Sequence, residues 1–296
     1  MSKFVVKAAR RPSAFTLIEL LVVISILGIL AGLAVPALKN LGKANVQTSA
    51  SRQLLDAFGR ARQLAINDHT TVFMVFVPTN FCFLSSGALN TTWYNNLTAA
   101  QLTVVTNLLS MQMSGYTFVA YGALGDQPGQ HQWHYLEPWQ SLPQNFIIAP
   151  WKFAPAPSTT LTFFKDPINT GNSFTVYPFD STNNIPFPTA DSNLVYAASQ
   201  VPSQISLPYI AFDYLGRLIF TSAIDQDVAG NGADIPLAQG SVAYALNPST
   251  KTPTLNPVGA NAVAESPLGN STNITYNIVH IDALTGRATL EYHQVQ

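Results

Sequence analysis

A long apolar stretch near the start of the chain stands out from an otherwise mixed pattern of apolar and polar positions. Residues 15–38 contain Glu19 as their only ionisable residue. A helix of this length rises about 36 Å, which is enough to cross a bilayer core. A cleaved secretory signal fits less well, because its apolar core is only about 7–15 residues long. A plain membrane anchor gives no reason for Glu19, since an intramembrane carboxylate is costly unless it is paired. We therefore predict a membrane-spanning helix at residues 15–38.

A second helical pattern follows directly, at residues 39–67. Leu54, Phe58 and Ala61 recur at helical spacing, and polar residues occupy the other face. This pattern predicts that the first helix continues as an amphipathic rod whose apolar stripe lies on a sheet.

Short runs of β-forming residues recur through the rest of the chain. They lie at residues 71–77, 116–121, 160–164, 173–177, 218–221, 241–246, 275–281 and 288–292. Thr98 and Gln101 have capping-box spacing and predict one short helix with Gly115 as its stop. The proline-rich residues 128–208 predict long extended loops. We expect an α+β fold, with the long helix laid on antiparallel sheet in a β-rich head at residues 68–296.

Composition and the distribution of charge exclude some classes of protein. Charged residues make up 10% of the chain and hydrophobic residues 47%, which excludes an intrinsically disordered protein. The net charge of −1 is the sum of +4 in residues 1–14, −1 from Glu19, +4 in residues 39–62 and −8 after Arg62. That acidic excess argues against nucleic-acid binding, which needs a concentrated cationic face. The single cysteine, Cys82, excludes a disulfide within the chain and is expected to be a buried, inert thiol.

The run AFTLIELLVVI at residues 14–24 resembles the prepilin N-terminal signature of type IV pilins and type II secretion pseudopilins. The resemblance implies a leader at residues 1–14, cut by a prepilin peptidase between Ala14 and Phe15, and methylation of the new amine of Phe15. Ala14 departs from the glycine that the family usually has before the cut. Pro36 falls where the family commonly has a helix-kinking proline.

The chemistry of these residues is consistent with assembly into a filament. Glu19 of one subunit can neutralise the cationic amine of a neighbour in a low-dielectric helix bundle, where either charge alone is costly. Gly28 and Gly32 form a small-x-x-x-small pair that allows close helix approach, although glycine is also simply common in membrane helices. Pro36 removes a backbone hydrogen bond, so we expect a kink or a locally melted turn there.

Further runs resemble the H-type minor pseudopilins: residues 54–66 with the strand at 71–75, and the glycine-turn motifs at residues 212–218 and 281–288. Gly216 and Gly286 supply the positive φ that tight turns require. Arg217 and Arg287 follow the turns, and either pair with nearby acids or carbonyls or are ordinary exposed arginines. Residues 79–209 have no counterpart in the resemblance and are taken as an insertion.

Two ligand-rich segments are candidates for metal binding. Four oxygen-bearing side chains at residues 225–234 partly match a calcium loop, namely those of Asp225, Asp227, Asn231 and Asp234. The segment lacks an acid at the fifth position and the closing glutamate, so a solvated acidic loop is the favoured interpretation. His131, His134 and Glu137 have ligand chemistry in a loop, where a surface aromatic patch is favoured.

These observations favour a structural protein without enzymatic activity or a resident cofactor. We expect a minor pseudopilin or minor pilin in the inner membrane with a periplasmic head, assembled with other pilins by secretion or pilus machinery. Two alternatives stay open: a DNA-uptake pilus subunit, disfavoured by the acidic excess after Arg62, and a membrane-tethered enzyme or binding domain. Nothing in the pattern suggests nucleic acid as a partner.

Overall fold

A computed structural model gives the structure of the chain in segments. The described residues are 16–84, 86–122, 126, 132–153, 161–165, 173–181, 183, 185–190, 207–219, 232–254, 263–270 and 277–292. Contacts divide the chain into two compact units, Met1–Val46 and Gln47–Gln296. The expected leader and the Ala14–Phe15 bond lie outside the described residues.

The first unit contributes the beginning of helix α1, which spans Leu17–Asp68. The backbone stays helical through Pro36, so the locally melted turn expected there is wrong, whereas the kink stays a prediction. Among the described residues, no helix is long and apolar enough to span a membrane. The predicted membrane-spanning role of residues 15–38 is therefore not supported by the structure.

The second unit is built on a six-stranded antiparallel sheet with strand β1 (Thr71–Phe76) at its centre. Its other strands are β2 (Gly115–Tyr121), β3 (Trp133–Tyr135), β4 (Gln140–Ser141), β8 (Tyr209–Phe212) and β9 (Leu218–Ile219). The order is β3-β2-β1-β8-β9, and β4 also pairs with β2. Phe73 of β1 lies opposite Val119 of β2 and Ala211 of β8.

The end of α1 covers one face of this sheet. Leu54, Phe58 and Ala61 are buried, and the ring centroid of Phe58 lies 6.4 Å from that of Phe76. Gln53 fixes the helix by donating from Nε2 to the hydroxyl of Tyr116 at 3.0 Å. The prediction of an amphipathic helix packed on antiparallel sheet is confirmed for this part of α1.

The opposite face of the sheet is covered by the segment predicted to be an insertion. Because side chains alternate along a strand, Phe73 and Val75 point away from α1, and they share a buried cluster with Trp93 and Leu108. Trp93 lies in helix α2 (Thr91–Asn95), and Leu108 lies in helix α3 (Ala99–Leu109). Part of the insertion thus completes the core.

The capping box predicted at Thr98 and Gln101 is present at the start of α3. Helix α3 ends at Leu109 with Ser110 as its C-cap, and Gly115 begins β2 instead of stopping the helix. A short turn therefore lies between them.

The strands predicted at 160–164 and 173–177 are confirmed as β6 (Leu161–Lys165) and β7 (Ser173–Val176), and the proline-rich stretch also contains regular structure at residues 133–153, where extended loops were expected. The described elements there are β3, β4, β5 (Phe146–Ile148) and the 3-10 helix η1 (Pro150–Phe153). Strands β6 and β7 pair with each other. Strand β3 extends the central sheet, because Val119 lies opposite Tyr135.

A second antiparallel sheet is organised by β10 (Ala233–Val242). Its partners are β5, β13 (Val263–Glu265) and β14 (Asn277–Ile281), and β14 pairs in turn with β15 (Ala288–Tyr292). The strand predicted at 241–246 is confirmed only at its two ends: β10 ends at Val242, and a separate pair follows, β11 (Ala245–Leu246) with β12 (Pro253–Thr254). The predicted hairpin around Gly286 is confirmed as β14–β15.

Candidate functional sites

The first candidate site is the start of α1, where Glu19 lies exposed in the first helical turn. The backbone N–H of Glu19 donates to Thr16 Oγ1 at 3.3 Å. A carboxylate in a first turn is also favoured by the positive end of the helix dipole. The role of Thr16 as a cap was missed in the sequence, although the Thr-x-x-Glu spacing is a capping signal.

The large apolar side chains at the start of α1 are exposed. The exposed residues are Leu17, Ile18, Leu20, Leu21, Val22, Val23, Ile24, Ile26, Leu27, Ile29 and Leu30. A side chain added at Gly28 or Gly32 would meet no atom within 4 Å. Contiguous exposed apolar surface of this extent marks an interaction with a membrane or with other proteins.

The second candidate site is formed by the two predicted glycine turns. Gly216 has a φ of 78° and Gly286 a φ of 61°, which is the left-handed region that glycine tolerates best. Each turn is closed by its glycine: Gly216 N–H donates to the carbonyl of Asp213 and Gly286 N–H to that of Asp282, both at 2.8 Å. Both motifs thus form tight turns, as predicted.

The two turns pack against each other and against α1, which the sequence did not predict. A side chain at Gly286 would overlap the carbonyl oxygen of Gly216, and one at Gly216 would crowd Ile66 and Arg62. Arg62 Nε donates to the carbonyl of Thr285 at 2.7 Å. We call residues 213–217 and 282–287 with Arg62 and Ile66 the turn cluster.

Each turn also uses its own aspartate. Asp213 pairs with Arg217 at 2.8 Å, so this arginine pairs with an acid, one of the two roles open to it from the sequence. Asp282 Oδ1 accepts from both the backbone N–H and the hydroxyl of Thr285 at 2.7 Å. These hydrogen bonds lower the pKa of the Asp282 carboxyl below its usual range, because they stabilise the charged form. The side chain of Arg287 is exposed.

The predicted calcium loop is only partly within the described residues. Asp225, Asp227 and Asn231 lie outside them. Asp234 is not in a loop: it is the second residue of β10, and its carboxylate lies 2.8 Å from His280 Nδ1 on β14. In the described part of the chain, no group of three or more His, Cys, Asp or Glu side chains is placed to hold a metal ion.

In the other ligand-rich segment, residues 131–137, His134 and Glu137 have different partners. His134 lies in β3 and not in a loop, with its Nε2 atom 3.1 Å from Asp126, while Glu137 accepts from Arg60 at 2.8 Å. His131 lies outside the described residues. Trp133 of this segment packs on Phe73 with ring centroids 5.2 Å apart. It is partly buried against the hydrophobic core and is not a purely surface residue.

Two further features bear on catalysis. Burial raises the pKa of the Cys82 thiol well above its usual value, so little thiolate forms at neutral pH. A groove of about 330 Å³ lies between the end of α3, the β4–β5 connection and β10. Its lining includes Ser114, Asn145 and Ser241 but no ionisable side chain, so it offers no general acid or base.

The comparison with protein families concerns the beginning of the chain. Residues 9–35 match the family described as the prokaryotic N-terminal methylation motif. This match supports a type IV pilin-like or pseudopilin signature and therefore a substrate of a prepilin peptidase. It covers the beginning of α1 and none of the head. No curated protein and no solved structure matches the chain.

Proposed function

We propose that this protein is a non-enzymatic structural subunit of a type II secretion pseudopilus or a type IV pilus-like filament. A prepilin peptidase cuts it at Ala14–Phe15 and methylates Phe15. Residues 15–38 anchor it in the inner membrane before assembly, and the head lies in the periplasm. The observation that carries the proposal is the methylation motif at residues 9–35 on a helix with exposed apolar side chains.

Within this class we propose a minor subunit closest to the H-type pseudopilins. The support is the resemblance of residues 54–66 and of the two glycine turns. The resemblance does not extend to residues 79–209. Helices α2 and α3 come from this segment and contribute to the core of the head.

Assembly depends on the two ends of the exposed helical surface. Glu19 of one subunit neutralises the Phe15 amine of its neighbour, which stabilises the pair in a low-dielectric bundle. Gly28 and Gly32 let the neighbouring helix approach closely, since neither glycine has an atom near its Cβ position. Apolar side chains exposed along α1 then become buried between subunits.

Three arginines of the described head are engaged within the chain, which does not favour the DNA-binding alternative. Arg60 pairs with Glu137, Arg217 pairs with Asp213, and Arg62 donates to a carbonyl within the chain. A cationic face that tracks phosphates requires several arginines or lysines presented together to solvent.

Replacing Glu19 by alanine tests the proposed pairing. We expect incorporation into filaments, measured in the sheared surface fraction, to fall at least about tenfold, because one buried amine is left without its partner. Asp56→Ala is the matched control, since Asp56 is an exposed acid in the same helix. Equal incorporation of the Glu19→Ala and Asp56→Ala variants would show that the pairing mechanism is wrong.

A further inference from the structure

The groove between the end of α3, the β4–β5 connection and β10 has no role in the proposed filament function. Its volume of about 330 Å³ lies at the lower end of the range of protein pockets that hold small molecules. All of its lining residues belong to the second unit, so the groove does not depend on the first segment of α1. The chemistry of the lining therefore indicates what the head can bind.

The segments that form the groove carry no charged side chains. Residues 69–125, 138–151 and 235–250 supply every lining residue, and these three segments contain no Asp, Glu, Lys or Arg. A charged ligand would leave water without an opposite charge from the lining to pair with, which is costly. A neutral ligand has no such cost, so the groove is suited to an uncharged molecule.

Hydroxyl and amide side chains form the polar part of the lining. Ser114, Ser141 and Ser241 carry hydroxyls, and Gln144 and Asn145 carry amides. Within the described part of the chain, none of these five side chains makes a hydrogen bond to another residue. Each of them can both donate and accept a hydrogen bond. The groove therefore offers paired donors and acceptors to a ligand.

Apolar side chains complete the lining. Leu142 and Phe146 are buried, and Met111 is partly buried. A sugar ring presents hydroxyls around its edge and C–H groups on its faces, so it requires hydroxyl or amide partners together with apolar contact. The lining provides both kinds of contact.

Backbone hydrogen bonds hold the three segments of the groove together. The carbonyl of Asn145 accepts from the N–H of Gly240 at 2.9 Å, which ties the β4–β5 connection to β10. Leu142 N–H donates to the carbonyl of Ser114 at 2.9 Å, which ties the same connection to the chain after α3. The site is thus formed before a ligand arrives, and this lowers the entropic cost of binding.

We propose that this groove binds a neutral sugar, either as a free saccharide or as a unit of a polysaccharide. Gln144, Asn145 and Ser241 supply hydrogen bonds to the sugar hydroxyls, and Phe146 supplies apolar contact. The inference concerns the head alone and goes beyond the proposed filament function. It holds whether or not Phe15 is processed.

Binding of the purified full chain to a panel of immobilised probes tests the proposal. The protein is kept in a detergent without a sugar headgroup, because a glycoside detergent would compete for the groove. The neutral probes are glucose, galactose, mannose and N-acetylglucosamine, with glucuronic acid as an acidic sugar and a glycine–serine peptide as a neutral polar chain. We expect one of the neutral sugars to bind at least about tenfold more tightly than glucuronic acid or the peptide. Equal binding of the acid or the peptide, or no binding of any neutral sugar, would overturn the proposal.

Soluble dextran, galactan and mannan distinguish the two sources of the sugar. Tighter binding of a polymer than of its own monosaccharide, at equal concentration of sugar units, would assign a polysaccharide as the ligand. Equal or weaker binding of the polymer would assign a free saccharide.

Removing one amide tests the assigned groove directly. Asn145→Gly deletes the side chain and keeps the φ of 66° without strain, so the turn is retained. We expect sugar binding to weaken about five- to tenfold, as for the loss of one or two hydrogen bonds. Asn80→Gly is the matched control, since Asn80 also has a positive φ, of 54°, and lies outside the lining. This control should bind as wild type does.

Filling the groove from β10 gives a second, independent variant. Ser241→Tyr is expected to weaken sugar binding at least about tenfold, because the ring occupies the space of the ligand. Ser249→Tyr makes the same change at another exposed serine, on the turn between β11 and β12, and should leave binding unchanged. Thermal unfolding checks that both variants fold. Wild-type binding by both Asn145→Gly and Ser241→Tyr would mean that the sugar binds elsewhere, which overturns the proposal.

Discussion

The two ends of helix α1 use apolar side chains in opposite ways. Near its start, large residues such as Ile24 and Leu30 are exposed, whereas near its end Leu54 and Phe58 are fully buried against the head. One continuous element thus contains a surface that its own chain leaves open and a surface that its own sheet covers. The difference indicates that the head is stabilised by its own core, whereas the exposed apolar side chains at the start of α1 are typical of an interaction surface.

The largest expected effect comes from making the same substitution at both ends. Leu54→Ala removes a buried side chain from the contact with the sheet and should lower the free energy of unfolding of the head by about 2–5 kcal/mol. Leu30→Ala changes an exposed position and should alter it by less than about 0.5 kcal/mol. Urea unfolding of both full-length variants measures the difference, and equal losses would invalidate the comparison.

A pair of glycines gives the next largest effect. Gly286→Ala places a Cβ against the carbonyl of Gly216 at positive φ, so we expect a loss of about 2–3 kcal/mol in the head's stability. Gly28→Ala meets open space in a helix and should leave the head's stability unchanged. Thermal unfolding of the two variants decides the matter; a fully stable Gly286→Ala protein would mean that the turns do not pack as described.

The smallest effect concerns the dependence of the turn cluster on pH. The pKa of Asp282 is lowered in the folded state, so its contribution to stability is present above the unfolded pKa of about 3.9 and is lost as pH falls through the folded pKa. Wild type should therefore exceed Asp282→Asn in stability by more at pH 6 than at pH 3. The same gap at both pH values, measured by urea unfolding, would contradict this role.

Local patterns predicted the parts of the fold that depend on local sequence. The buried stripe of α1 followed from the spacing of Leu54, Phe58 and Ala61. The β14–β15 hairpin followed from two β-forming runs on either side of Gly286. Both predictions rest on residues that are close in sequence.

Contacts between distant segments were not predictable in this way. Strand β10 contains Pro236 and Gly240, which read as breaks, yet its pairing with β5, β13 and β14 holds it as one long strand. The packing of Gly216 on Gly286 joins residues 70 positions apart, and no periodicity in the sequence reports such a contact. The sequence therefore predicted the two turns, but it did not predict that they pack against each other and against Arg62.

The most direct test of the account is the identity and mass of the N-terminal residue in membranes from cells with and without prepilin peptidase. The account predicts a chain that begins at N-methylated Phe15 only when the peptidase is present. An intact Met1 under both conditions, or a start near Val35 left by a conventional signal peptidase, would contradict it.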